Sequence, residues 1–171
     1  MIKDGVPEDK DIINATPSNE RFAKGPVAII ECFQEIPCDP CIKACKRGAI
    51  SMSNGINGLP SIETQMCNGC GSCLQQCPGL AIFIVDKSYD ENNALIKLPY
   101  EYIPVPQKGQ LVAGLDRTGK TLGFFNVVEV RAGEKNNKTF MVSLIVPRDL
   151  AMEIRDIDIR TVNFEKNNSF I

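Results

Sequence analysis

Apolar residues in this chain come in short runs separated by proline, glycine and polar turns. Val27-Ala28-Ile29-Ile30 and Leu80-Ala81-Ile82-Phe83-Ile84-Val85 are uninterrupted, the pattern of strands buried on both faces. Shorter strands are predicted at 49–52 and 59–64. Between them, Asp39-Pro40 places an N-cap residue before a proline at the first helical position, so a short helix is predicted over 41–46, closed by Gly48. From about Ser88 the pattern changes. Strands are predicted at 94–98, 110–115, 121–131 and 139–146, with turns at 116–120 and 133–138. A helical turn or two fits 148–154, and 156–160 alternates like an edge strand. Residues 1–25 are polar, carry Pro7, Pro17 and Gly25, and hold no sustained period; they read as an arm that orders on a partner.

The expected organisation is an α+β chain in three parts: an arm over 1–25, a domain over 26–87, and a β-rich barrel or sandwich over 88–171. The middle part contains an internal repeat. A shift of 32 residues maps Cys38, Cys41, Cys45, Ala49 and Ile50 onto Cys70, Cys73, Cys77, Ala81 and Ile82. Two copies of loop, short helix and strand are implied, related by a local two-fold axis.

Charge excludes several roles. With 19 basic and 21 acidic residues the chain is nearly neutral, and neither half has the basic excess of a nucleic-acid binder. The N-terminus lacks the apolar stretch of a signal peptide, and no segment approaches the roughly 18 apolar residues of a membrane helix. A cytoplasmic location is expected. Thiols stay reduced there, so eight cysteines confined between Cys32 and Cys77 read as metal ligands before disulfides.

The sharpest motif is Cys67-Asn-Gly-Cys70-Gly-Ser-Cys73-Leu-Gln-Gln-Cys77-Pro78, with spacing C-x2-C-x2-C-x3-C-P. Three cysteines two residues apart wrap a tight loop, bringing three thiolates and several backbone N–H groups to one point. Gly69 and Gly71 permit the close approach and positive φ this requires. The segment resembles the dicluster ferredoxins. That resemblance implies two [4Fe–4S] clusters and crossed ligation: Cys67, Cys70, Cys73 and Cys45 at one cluster, and Cys32, Cys38, Cys41 and Cys77 at the other. The first repeat departs from the family pattern, since Cys32-x5-Cys38 is three residues longer and Lys46 stands where proline is usual. Thiolates are soft ligands suited to iron–sulfur clusters. Structural zinc is the alternative, but zinc modules place CxxC pairs far apart, whereas these ligands run in fours within a dozen residues.

Other features add less. Lys43, Lys46 and Arg47 form a small basic patch, either a solvated helix face or a site for an acidic partner. Gly114-x4-Gly119-Lys120-Thr121 matches a phosphate-loop spacing, yet the residues that follow are strand-forming, so a hairpin turn is expected. The chain has no histidine and no G-x-G-x-x-G opening a helix after a strand, which argues against catalysis by this chain alone. An electron wire is the reading that remains. The lengthened first motif, the segment Gly58-Leu-Pro-Ser-Ile62 and the β-rich tail resemble the ferredoxin-like small subunits of FAD-dependent oxidoreductases, of the amino-acid, proline or hydroxyproline dehydrogenase type. This resemblance implies FAD-containing partner subunits in a hetero-oligomer; a free-standing soluble ferredoxin is the alternative.

Overall fold

The two uninterrupted apolar runs fold as the shared wall of two hydrophobic cores. In the computed structural model, which describes residues 6–134 and 137–160, they form β1 (Val27–Ile30) and β4 (Ile82–Asp86). These strands pair antiparallel, Val27 opposite Val85 and Ile30 opposite Ile82. Val27, Ile29, Phe83 and Val85 pack into the larger core, and Ala28, Ile30, Ile82 and Ile84 into a smaller one that includes Cys41 and Cys73. Because each face meets a core, these strands show no polar alternation.

The other elements of the cysteine region are α3 (Pro40–Ala44), β2 (Ile50–Met52), β3 (Pro60–Ile62) and α4 (Ser72–Gln76), preceded by α1 (Asp9–Ala15) and α2 (Asn19–Phe22). The proposed cap before α3 is present in position but not in bonding. Pro40 opens the helix after Asp39, whose side chain does not cap it and instead pairs with Lys43 at 3.0 Å. β2 and β3 form their own antiparallel pair, Ile50 opposite Ile62.

Beyond residue 88 lie β5 (Asn93–Tyr100), β6 (Leu111–Leu115), β7 (Thr121–Arg131), β8 (Phe140–Pro147) and β9 (Asp156–Asp158), with a 3-10 turn at Leu150–Met152. A separate barrel or sandwich was the expectation. These strands instead extend the sheet begun by β1 and β4, giving the order β1-β4-β5-β8-β7-β6-β9. The molecule is α+β with a mostly antiparallel sheet. Pairing of Asp86 with Leu95 and Ile84 with Lys97 carries the ladder across residue 88. The physical reason is the free edge of β4, whose N–H and C=O groups β5 satisfies.

The phosphate-loop spacing is the β6–β7 hairpin turn. Asp116 Oδ1 accepts from the backbone N–H groups of Thr118 and Lys120, and strand β7, not a helix, follows.

The N-terminal arm also differs from expectation. It folds onto the body through α2, whose N-cap Ser18 accepts from the Arg21 N–H at 3.2 Å. Phe22 is buried in the larger core, with the Lys87 ammonium 4.8 Å from its ring centroid. Arg21 is buried beside it, and the hydrogen bonds it makes there, described below, are what the polar composition of the arm concealed.

Candidate metal centre

The loop from Cys67 to Cys73 needs glycine at two places. Gly69 has φ +63° and Gly71 φ +87°; a Cβ at Gly69 would lie 2.5 Å from Pro26 Cβ, and one at Gly71 would lie 2.5 Å from Met141 Sδ. With those positions free, the chain turns tightly enough for Cys67, Cys70 and Cys73 to face one cavity of about 220 Å³. Cys45 from the first repeat lines the same cavity, as do Ala28, Ile50, Ile62 and Ile84 and the exposed Lys46 and Arg47. Cys32, Cys38, Cys41 and Cys77 line a second, narrower space of about 20 Å³, walled by Ile30, Met52, Pro60 and Ile82. Each repeat therefore sends its last cysteine, Cys45 or Cys77, to the other repeat's cavity. All eight thiols are unpaired.

The donor set fits a cluster. Four soft thiol donors line each of the two cavities, a donor set suited to an iron–sulfur cluster. Backbone amides face the sulfurs. Cys67 Sγ accepts from the Ala28 and Gly69 N–H groups, each at 3.4 Å. Ala49 N–H donates to Cys45 Sγ at 3.3 Å and Ala81 N–H to Cys77 Sγ at 3.4 Å, bonds at equivalent places in the two repeats. A second matched pair runs from Glu31 N–H to the Ala81 carbonyl and from Glu63 N–H to the Ala49 carbonyl, both at 2.8 Å.

Burial pushes the Cys73 thiol up to about 12, and the neighbouring Cys67, Cys70 and Cys45 add to it. Burial also raises Cys32, followed by Cys77 and Cys38, and raises Cys41, followed by Cys77. Metal-free, these thiols hold their protons at neutral pH, so ligation must displace them. Cys70 runs the other way: burial opposes its ionisation, but hydrogen bonds from Ser72 and the charge of Arg131 outweigh it. It is the one exposed cysteine of the eight.

Several residues that support these loops have no motif. Arg21 Nε donates to the Thr64 carbonyl at 2.6 Å, and its Nη2 to the Cys67 carbonyl at 2.7 Å and the Pro26 carbonyl at 3.0 Å. Arg47 Nε donates to the Met66 carbonyl at 2.6 Å, and Arg131 Nη2 to the Cys70 carbonyl at 3.2 Å. Arg47 belongs to the basic patch read from the sequence; Lys43 of that patch pairs with Asp39, and Lys46 is exposed at the larger cavity. Beside the other loop, Glu31 is held by Arg117 and Arg155, each within 2.7 Å of Oε1. Burial opposes its ionisation, yet these partners keep its carboxyl below the usual range. Sequence offered one signal for this group, an acidic residue directly before Cys32, but nothing that named its partners.

Residues 36–91 match the model of the 4Fe-4S dicluster domain. The cofactors are two [4Fe–4S] clusters. The region is thus an iron–sulfur, electron-transfer module of ferredoxin type. Curated relatives match the chain over short stretches. The chain is 36% identical over 52 residues to the ferredoxin-type protein NapF of Escherichia coli strain K12, covering 29% of this chain and 32% of that one. It is 47% identical over 45 residues to the ketoisovalerate oxidoreductase subunit VorC of Methanothermobacter marburgensis, covering 24% of this chain and 57% of that one. The match thus spans about a third of NapF and somewhat over half of VorC. No solved structure matches the chain.

Proposed function

We propose that this chain is the electron-transfer subunit of an oxidoreductase complex, with one cluster held by Cys67, Cys70, Cys73 and Cys45 and the other by Cys32, Cys38, Cys41 and Cys77. The observation that carries this reading is the sorting of eight thiols into two rings of four, each completed by a cysteine from the other repeat. The matched amide–sulfur and amide–carbonyl bonds support a pseudo-two-fold repeat relating the two halves.

A [4Fe–4S] cluster held by four thiolates supplies one-electron exchange and leaves no open position for substrate. The chain's own residues do the rest. Ile30, Ile50, Ile82 and Ile84 form apolar walls of the two cavities, and backbone amides face the sulfurs. With no histidine in the sequence, no ordinary proton shuttle stands beside either cavity.

The proposed donor is a FAD-containing dehydrogenase subunit, and the acceptor a second flavin or an external carrier. Ile36 and Ile56, 47% and 52% exposed near the loop of Cys38, give that end an apolar surface suited to a partner. An oxidoreductase subunit among the relatives points the same way. Among the described residues no helix is long and apolar enough to cross a membrane. Eight unpaired thiols suit a reducing compartment, and we place the protein in the cytoplasm on that ground.

Anaerobic purification of the full chain from its native host tests this reading. Two four-iron clusters give eight irons per chain, a brown sample and co-elution with flavin-containing chains. Zinc in place of iron refutes the cluster reading. Iron without partner chains refutes the subunit reading and leaves a free ferredoxin.

A further inference from the structure

Resting on that cluster assignment, we infer that the site ringed by Cys45, Cys67, Cys70 and Cys73 is the high-potential end of the module, set by Arg21, Arg47 and Arg131. All three guanidiniums converge on one loop. Arg21 donates to the carbonyls of Thr64 and Cys67, Arg47 to that of Met66, and Arg131 to that of Cys70. They come from three separate places: α2, the segment after Cys45, and the end of β7.

Two consequences follow from this geometry. The first is charge. Adding an electron makes a site one unit more negative, so a nearby cation favours the reduced form and raises the potential. Among the described residues, Arg21, Arg47 and Arg131 enter no salt bridge, so their charges stand uncancelled beside the loop. Arg21 is only 4% exposed, and its field is weakly screened by water or salt. Lys46, lining the same cavity, adds a fourth cation; of the nearby acids, Glu63 accepts from the Gln65 N–H of its own turn and Glu134 lines a neighbouring groove with Lys46 and Ser72. At the other site the cations are matched. Lys43 pairs with Asp39, and Arg117 and Arg155 pair with Glu31, Arg117 reaching Glu153 as well.

The second consequence is the orientation of dipoles. A guanidinium that draws a carbonyl outward leaves the amides of the loop free to turn inward; Cys67 Sγ accepts from the Gly69 N–H of this loop and from the Ala28 N–H of β1. At the other site the Cys38 N–H is used on the Ile56 carbonyl at 3.0 Å. Exposure adds to both effects, since Cys70 is exposed whereas Cys32, Cys38 and Cys77 are half-buried and Cys41 is buried. Charge, hydrogen bonding and solvent access are the levers that set such potentials, and here all three act in one direction. A single electron shared between the two sites rests at that of Cys45, Cys67, Cys70 and Cys73, with no proton moved and no bond formed or broken.

The test is a potentiometric titration of the full chain, prepared anaerobically and followed by EPR, with Cys45→Ser marking which signal belongs to the site of Cys45, Cys67, Cys70 and Cys73. The marked signal has the higher midpoint. Arg47→Gln combined with Arg131→Gln, both at exposed positions, lowers that midpoint and leaves the other unmoved. The shift corresponds to about a tenfold change in electron partition between the sites, or about 59 mV for a one-electron couple. Arg131→Lys, which keeps the charge, retains most of the wild-type value. Arg21→Gln gives a larger shift in any preparation that folds, and the exposed pair decides the matter if it does not. Two [4Fe–4S] signals with the order reversed, or Gln variants that move neither midpoint or both alike, overturn this inference alone. A wild-type chain without two such signals overturns the cluster reading and this inference with it.

Discussion

Arg155 Nε donates to Glu31 Oε1 at 2.7 Å across 124 residues of sequence, joining the approach to Cys32 to the segment that leads into β9. Arg117 Nε reaches Glu31 Oε2 at 2.9 Å from the β6–β7 turn, so one carboxylate anchors two elements of the β-rich part. The three side chains are between 5% and 13% exposed. Breaking such a group strands buried charge.

Glu31→Gln is therefore expected to destabilise the folded chain by about 3–5 kcal/mol, because Arg155 loses its counter-ion in a poorly hydrated place and Arg117 keeps only the more distant Glu153. Lys43→Met, which breaks the more exposed pair with Asp39, is expected to change stability by about 0–1 kcal/mol. Denaturant unfolding of anaerobically prepared variants measures both. Equal effects would show that burial of the Glu31 group has no energetic weight.

Gly71 and Met141 form a second joint between the ferredoxin-type segment and the sheet. Met141 is fully buried on β8, against the loop that presents Cys70 and Cys73. Gly71→Ala is expected to cost about 1–3 kcal/mol, since its φ of +87° disfavours any Cβ and the new methyl meets the thioether. Met141→Ala is expected to cost about 2–5 kcal/mol through the cavity it leaves. The double variant should be less damaged than the sum by about 0.5–3 kcal/mol, the coupling of residues in direct contact. Strict additivity would mean that the two do not touch.

Much of this was legible in the chain. Period-free apolar runs located β1 and β4, cysteine spacing located the loop that gathers Cys67, Cys70 and Cys73 at one cavity, and Gly69 and Gly71 gave away its positive φ values. What stayed hidden depends on long-range contact. Nothing local to Arg21 distinguishes it from a surface arginine of a polar arm; its place is fixed by carbonyls at Thr64 and Cys67, more than 40 residues away. The continuation of one sheet across residue 88 was hidden for a related reason. Strand-forming composition and turn spacing mark the strands from 93 onward, but pairing of β4 with β5 is a property of two edges and not of either sequence alone.

That continuity yields a further expectation. A chain ended after Asp86 loses β5, the direct neighbour of β4, together with Met141 and Arg131. It exposes Ile29, Phe83 and Val85, which pack in the larger core with Val142, Leu144 and Val146. Such a fragment is expected to aggregate or to lose iron from the Cys70 loop during gel filtration under anaerobic conditions. A monomeric fragment holding eight irons would show that the first 86 residues fold without the sheet extension.

Crossed ligation gives the most specific expectation, because it predicts damage at a distance in sequence. Cys45 lies in the first repeat yet lines the cavity of Cys67, Cys70 and Cys73, and Cys77 lies in the second yet lines that of Cys32, Cys38 and Cys41. Cys45→Ser should alter the EPR signal that Cys70→Ser also alters, and Cys77→Ser the signal that Cys38→Ser alters. Serine keeps an oxygen donor at the position, so each variant should perturb or partly deplete one cluster while the other keeps its line shape. The helix ends fit this reciprocity: Cys41 and Cys73 pack in the smaller core from one helix each, while Cys45 and Cys77, just past the helix ends, line the opposite cavity. If Cys45→Ser and Cys38→Ser altered the same signal, each repeat would hold its own cluster, and the arrangement of thiols in the two cavities would not describe the loaded protein.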